Sequence, residues 1–301
     1  MDNKKIIVTS EHEGERIDVF VSNISDDISR SLAQSLIREE KILINGNTIK
    51  VSTKVHEGQE VDIPINVEKK VTENLLAEDI PIDIIYEDED ILVINKSKNM
   101  VVHPAVGNIS GTLVNAILGK TKLSDYNGEY RPGIVHRLDK DTTGALVVAK
   151  NNFAHQKIAE QIQNREIKKI YIALVKGIIK EDNGVIDLPI GRHPTDRKKM
   201  AVVKEGKQAI TKFKVLERLD GYTLLEIELK TGRTHQIRVH MSYIGHPIVG
   251  DQVYSNGKNP FGVTSQMLHS YKLGFKHPRT GEWVEFTAPL PMELSNLTSH
   301  I

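Results

Sequence analysis

The chain has 301 residues, with 40 lysines and arginines balanced by 40 aspartates and glutamates, 39% hydrophobic residues and no cysteine. That is the composition of a globular protein long enough for two domains, and it excludes a disulfide scaffold, a thiol nucleophile, an iron–sulfur cluster and a thiolate zinc site. No apolar run reaches about 18 residues and the start, MDNKKIIVTSEHEGE, is polar, so neither a membrane span nor a secretory signal is expected, and the expected compartment is the cytoplasm.

Residues 13–65 read as a small α/β unit. SRSLAQSLIREEKI puts Leu32, Leu36 and Ile37 on one helical face, with Ser29 placed as N-cap. In KILINGNTIKV, Asn45-Gly46 predicts a hairpin between two β-rich runs, and VHEGQEVDIPI supplies a further strand. The polar stretch Asn66 to Asp79 reads as a connection. We therefore expect a first domain over 13–70, a linker over 71–81 and a second domain over 82–295. From Ile82 onward strands dominate: two runs in IDIIYEDEDILVINK with a turn at Glu87 to Asp90, then 144–150, 168–177, 211–219 and 222–230. Helices are predicted at 111–119, 152–164 and 234–244, the second with Ala154, Ile158 and Ile162 at i, i+4, i+8. Many strands with few helices imply an α+β domain on a mixed sheet rather than alternating βαβ units.

The zero net charge conceals polarity: residues 1–70 carry −3, 71–150 carry −4 and 151–301 carry +7. Between 192 and 214, Arg192, Arg197, Lys198, Lys199, Lys204, Lys207, Lys212 and Lys214 face only Asp196 and Glu205. Such a stretch reads either as a solvated loop or as a contact for a polyanion.

Familiar sites fail on spacing. Gly119-Lys120-Thr121 has Val114 where a phosphate loop needs glycine, and no G-x-G-x-x-G follows a strand. HRLD at 136–139 has the wrong order for a kinase catalytic loop. His235 and His240, five apart, fall on different faces of a helix or strand, so no metal site is expected. Two segments stand out. In RPGIVHRLDKDTTGALVVAK, Arg137, Asp139, Lys140, Asp141, Thr142 and Thr143 form a polar loop running through Gly144 into an apolar strand, which reads as a charged turn or as a catalytic platform. In TGRTHQIRVHMSYIGHP, Arg233, His235, Arg238 and His240 crowd one end of a helix that Gly245 stops, with Ile237, Met241 and Ile244 on one face.

HRLDKDTTG, KKIYIALVKG and TGRTHQIRVH, in that order, resemble the motifs of the RluA/RluD type of RNA pseudouridine synthase. DEDILVINKSKNMVVHP and QMLHSYKLGFKHP resemble that family's opening and late strands, so the likeness covers about 82–292. Residues 13–65 resemble the RNA-binding fold of small-subunit ribosomal protein S-four, a module that ribosomal members of the family often carry. The resemblance implies an α+β catalytic domain on a mostly antiparallel mixed sheet. Two positions depart from the pattern. Lys96-Ser97-Lys98-Asn99-Met100 stands where Lys-Pro-x-Gly-Leu is usual, altering a turn beside the site, and Thr143 replaces serine but keeps the hydroxyl.

By resemblance, Asp139 is the catalytic carboxylate, Arg238 holds it and favours its charge, and Tyr171 packs on the uracil and helps to remove its carbon-five proton. Arg137 is implied to fill the space left by an extruded uridine. Arg233, His235 and the 192–214 cluster are candidates for flanking phosphates, and Arg30, Lys41, Lys50 and Lys54 for RNA contact in the first domain. Asp141 is expected to be structural or to touch RNA. The expected partner is large-subunit ribosomal RNA or its precursor particle, with transfer RNA the alternative. No cofactor, metal, DNA or membrane is expected, and the chain is expected to act as a monomer. Rival readings are a non-catalytic RNA-binding or ribosome-assembly protein, and a glycosidase that releases free uracil.

Overall fold

The computed structural model describes residues 3–25, 28, 30–64, 75–104, 110–126, 131–196, 199–255 and 261–296. Backbone contacts divide the chain into two units, Met1–Leu76 with Ser124–Pro132, and Ala77–Leu123 with Gly133–Ile301.

The first unit runs β1 (Asn3–Ile7), a 3-10 turn at Ser10–His12, α1 (Ile17–Ile24), α2 (Arg30–Arg38), β2 (Leu43–Ile44) and β3 (Glu60–Pro64). Ile17, Phe20 and Val21 of α1 and Ala33, Leu36 and Ile37 of α2 are buried together with Val61 and Ile63 of β3, and Leu32 packs at the edge of this cluster. The helical face expected from the sequence is thus the one that is buried; its proposed cap, Ser29, lies outside the described residues. The turn at Asn45-Gly46 forms with both residues at positive φ, 50° and 74°. Its second arm is not a strand, however: after the single bridge Ile44 to Asn47, β2 pairs instead with β3. Nothing in the sequence pattern announced β1, whose NKKII is mostly exposed and forms a strand only by antiparallel pairing with β3.

Asp18 ties this unit together. It is wholly buried and accepts hydrogen bonds from Arg16 Nε (2.9 Å), Arg30 Nε (2.9 Å) and Gln34 Nε2 (2.7 Å). Burial alone would raise its pKa, but these donors outweigh burial and hold it down at about 2.

The second unit follows the order β4 (Asp83–Glu87), β5 (Ile91–Lys96), α3 (Leu113–Leu118), β6 (Thr143–Ala149), α4 (Asn152–Gln163), β7 (Lys168–Lys176), β8 (Asn183–Asp187), β9 (Ile190–Arg192), β10 (Met200–Val202), β11 (Ile210–Leu219), β12 (Tyr222–Leu229), α5 (Gln236–Tyr243), β13 (Leu268–Lys276), β14 (Trp283–Thr287) and α6 (Met292–Ser295). Nine strands form one sheet in the order β4-β5-β6-β13-β7-β12-β11-β8, with β14 on β13, while β9 and β10 form a separate ribbon. Every pairing in the large sheet is antiparallel except β6 with β13. In this unit the strands and helices predicted from the sequence are all present within a few residues. The strands not anticipated, β8, β9, β10 and β14, are short, and partner strands decide them more than their own patterns do; the four-residue helix α6 was not anticipated either.

Strands β5, β6 and β7 are buried along nearly their whole length, as expected of strands covered on both faces. On one face α4 lays Ala154 and Ile158 against Ile91, Val147 and Phe275, with Ile162 at the edge. Asn151 caps this helix by accepting a bond from the Ala154 N–H at 2.9 Å. Gly144 has φ +109°, and a Cβ there would lie 2.2 Å from the Ser270 carbonyl oxygen. Only glycine permits β6 to approach β13 so closely at the point where the polar loop ends.

Asp18→Asn is expected to cost the first unit roughly 2 kcal/mol at neutral pH, since the lost bonds are charge-assisted. The folded pKa lies below the unfolded value of 3.8, so this stabilisation is present above that value and disappears as the pH falls toward about 2. In denaturant titrations the gap between wild type and variant therefore narrows over that window.

Candidate active site

The polar loop that leads into β6 and the helix that follows β12 meet across one cavity. Ile134 bridges to Val148, and Thr142 N–H bonds the Asp139 carbonyl at 3.1 Å, so the loop between is anchored at both ends of its turn. At the other side, Gln236 staples the TGRTHQ segment: its Oε1 accepts from Thr231 and from the Arg233 N–H, and its Nε2 donates to the Ile210 carbonyl. His235 takes a left-handed backbone (φ 57°) as the first residue outside α5. The helix ends with Gly245 at φ 85° and a bond from His246 N–H to the Met241 carbonyl, as Gly245 predicted.

This geometry brings Arg238 Nη1 to 2.9 Å from Asp139 Oδ2. The same guanidinium forks onto Asp251, Nε to Oδ2 at 2.7 Å and Nη2 to Oδ1 at 3.0 Å. Asp251 is wholly buried and also accepts the Val253 and Tyr254 N–H groups. Burial would raise its pKa, but Arg238 and these amides bring it down on balance. The Tyr254 ring lies 5.2 Å from the guanidinium carbon, and its hydroxyl is 2.9 Å from His235 Nδ1. His235 Nε2 is 3.9 Å from Asp139 Oδ2, and burial outweighs that carboxylate in lowering the imidazole pKa.

The cavity has a volume of about 500 Å³, and Asp139, Tyr171, Arg238, Arg137, Arg233 and His235 all line it. Tyr171 is buried on β7; burial and the Asp139 charge push its phenol pKa up against a bond with Ser270, which keeps the hydroxyl protonated. His136 also lines the cavity, and its Nε2 accepts the Val147 N–H at 3.1 Å, which puts the ring proton on Nδ1. Burial, with help from Lys169, holds its pKa down at about 3, so the ring is neutral. Asp139 is the only carboxylate among the described lining residues. An acid held by a guanidinium beside a buried phenol, in a pocket of this size, suits work on a small polar ring.

A model of the family described as RNA pseudouridylate synthase matches residues 90–243. An uncharacterized RNA pseudouridine synthase of Bacillus subtilis is 46% identical over 100% of this chain and 99% of its own. This chain belongs to the RNA pseudouridylate synthase family. Ribosomal large subunit pseudouridine synthase D of Pseudomonas aeruginosa is 42% identical, covering 95% of this chain and 92% of that protein. Human RNA pseudouridylate synthase domain containing 1 shares the fold with a TM-score of 0.56 and 28% identity, over 74% of this chain and 95% of that one. An S4 domain matches residues 15–61. The enzyme is an isomerase acting on RNA.

Other residues singled out from the sequence lie elsewhere in the synthase. His240 is buried away from the cavity, bonded to Thr211 Oγ1 (2.9 Å) and the Leu188 carbonyl (3.0 Å), so it joins α5 to β11. None of the described bases of 192–214 lines the cavity, and Arg197 and Lys198 are outside the described residues. In the first unit Arg30 bonds Asp18 and Lys41 bonds Glu39, while Lys50 and Lys54 are exposed. Asp141 is also outside the cavity lining, and its charge stabilises the Lys96 ammonium.

Lys96 shows what the departing turn does. It is buried, and its Nζ donates to the carbonyls of Ser97 (2.8 Å), Met100 (2.9 Å) and Lys140 (2.9 Å), binding the 97–100 turn to the residue after Asp139. Burial lowers its pKa to about 8 against the pull of Asp141 and Asp139. Asn99, standing where the family pattern has glycine, takes the left-handed conformation at φ 63°, which asparagine tolerates better than most residues. Thr143 keeps the hydroxyl bonded, 2.7 Å from His269 Nδ1. Lys96, His136, Asp251 and Tyr254 escaped sequence reasoning, because each acts through a partner distant in the chain.

Asp251→Asn preserves shape but leaves Arg238 short of a countercharge in a buried site. It is expected to lower stability by about 3 kcal/mol and to reduce pseudouridine formation at least tenfold, as measured by denaturant unfolding and by RNA modification assays.

Proposed function

We propose that this synthase isomerises specific uridines of large-subunit ribosomal RNA, with Asp139 as the catalytic carboxylate. The observation that carries the assignment is the ion pair with Arg238 at 2.9 Å, made by the only carboxylate among the described residues lining the cavity. The reaction breaks the bond from uracil nitrogen one to ribose, turns the detached ring and joins its carbon five to the same ribose carbon. Asp139 either attacks the anomeric carbon, as the nucleophile of a retaining glycosidase does, or takes the ribose 2′ proton to give a glycal; both routes start from a carboxylate aimed at the sugar. Tyr171, two-faced between core and cavity, stacks on the uracil. Arg137 is exposed beside Asp139 and fits the role of holding open the duplex from which the uridine is extruded. Extrusion itself costs a few kcal/mol, least where the base is already in a loop.

The match of residues 15–61 to an S4 domain and the resemblance to ribosomal large subunit pseudouridine synthase D support a ribosomal target. In that domain Lys50 and Lys54, being exposed, are better candidates for RNA contact than Arg30, which is engaged by buried Asp18. The same reading has the enzyme acting in the cytoplasm on the large-subunit RNA or its precursor.

Asp139→Asn is expected to abolish pseudouridine formation on transcribed large-subunit RNA, while Asp141→Asn retains most of it; near-normal turnover by the Asp139 variant would refute the assignment. Mapping pseudouridines in total RNA with and without this gene should show sites lost from the large-subunit RNA. Losses confined to transfer RNA would move the substrate there.

A further inference from the structure

The cavity is lined by far more positive charge than its chemistry uses. Beside Asp139 stand Arg137, Arg165, Lys169, Lys230, Arg233 and Arg238. Arg238 is committed to two aspartates and Lys230 to Glu228. With Arg137 already assigned to the duplex from which the uridine is extruded, Arg165, Lys169 and Arg233 remain, brought together from three separate elements: the turn after α4, strand β7 and the loop before α5.

Their arrangement is built rather than incidental. Arg165 Nη2 donates to the Gln208 side-chain oxygen at 3.2 Å, and Arg233 Nε donates to the Gln208 carbonyl at 3.0 Å, so two guanidinium groups converge on one residue while each keeps N–H donors unused among the described residues. Lys169 Nζ lies 3.9 Å from the position a Cβ on Gly232 would take, next to the Arg233 peptide. The Lys169 ammonium has no hydrogen-bond or ion-pair partner among the described residues, and burial lowers its pKa with no carboxylate opposing. Arg165 occupies the position after α4 where the chain turns left-handed, at φ 62°, with Glu166 N–H closing onto the Gln161 carbonyl. Glycine is the ordinary residue there. An arginine held in that conformation indicates that its side chain is wanted at the cavity.

Three cations line a pocket whose one carboxylate among the described residues, Asp139, is already paired with Arg238, so they call for an anion from the ligand. In an RNA the available anions are phosphodiesters. Lys169 is two residues from Tyr171 on the same face of β7, about 7 Å along the strand, so an anion held by it lies within one nucleotide of a base stacked on the tyrosine. We propose that Arg165, Lys169 and Arg233 form the seat for a phosphodiester flanking the extruded uridine. The proposal rests on the reading of this cavity as the uridine pocket.

The test compares Arg165→Gly, Lys169→Met and, as control, Lys168→Met, which lies on the opposite face of β7 paired with Glu285 at 2.9 Å. Binding of a large-subunit RNA transcript is measured across a salt series, alongside pseudouridine formation and thermal unfolding. Arg165→Gly relieves the left-handed strain, so its melting temperature should equal or exceed wild type while its RNA affinity falls roughly tenfold at low salt. Lys169→Met should lose affinity similarly. For each of the two, the slope of log affinity against log salt should flatten by about 0.7–0.9, and Lys168→Met should match wild type in both. If Arg165→Gly and Lys169→Met keep the wild-type affinity and slope, the phosphodiester seat is refuted whether or not the enzyme modifies the transcript. If they lose affinity as expected but wild type forms no pseudouridine in any ribosomal or transfer RNA, the seat stands and the reading of the pocket fails.

Discussion

A guanidinium withdrawn from water costs several kcal/mol unless countercharges and hydrogen bonds replace its hydration, and Arg238 has both. It sits 5% exposed, forked onto Asp251 on one side and reaching Asp139 on the other. The division of labour between the two carboxylates follows from their surroundings. Asp251 has its oxygens taken by Arg238 and by two backbone amides inside the protein, so it is a fixed anchor. Asp139 has one oxygen held and its side chain 19% exposed to the cavity, so it is aimed but still available. Without the anchor, the arginine that aims the acid would itself have no fixed place.

The sheet supplies the rigidity that this arrangement needs. The loop bearing Asp139 is delivered by β6, which is buried from Gly144 onward and packed against β13 at a distance only glycine allows. Tyr171 belongs to β7, on the other side of β13 in the same sheet. Acid and phenol are therefore placed by the two strands that flank β13 in one framework, and Lys96, from a further strand, β5, ties its own 97–100 turn to the acid's loop through the Lys140 carbonyl. Only Arg238 comes from a helix, and α5 is buried on nearly all sides, not half-solvated as its charged residues suggest.

Electrostatics explain how a chain with zero net charge serves a polyanion. The positive excess lies in the last 151 residues, yet the exposed lysines between 192 and 214 are not what lines the pocket. The cations there come from the loop before β6, the turn after α4, β7, the segment before α5 and α5 itself. Charge concentrated within a low-dielectric cleft acts more strongly on a bound strand than the same charge spread over a surface. In the first unit, much of the basic content is spent internally, Arg16 and Arg30 neutralising buried Asp18.

Much of this was legible in the sequence, because it depends on near neighbours. The periodicities of α2 and α4, the strand runs of β4 to β7, β11 and β12, the Gly245 stop and the two polar motifs are local, and local sterics and burial patterns fix them. The motif order was enough to indicate the family and its chemistry, and it pointed to Asp139, Tyr171 and Arg238, which the fold brings to one cavity. Partner-dependent features were not legible: β1 and β14 are strands because β3 and β13 offer them ladders, and the second arm of the Asn45-Gly46 turn gives way because β3 takes its partner. Asp251, Lys96, Arg165 and Lys169 look like ordinary surface charges in the sequence. Their roles arise when folding sets them beside groups 13 to 63 residues away or against a shared cavity, where removal from water makes each charge depend on what stands next to it. The sequence by itself determined the locally patterned elements and the chemistry they carry; the tertiary structure decided the partner-dependent strands and which charges are buried, and therefore which of them hold the site in place.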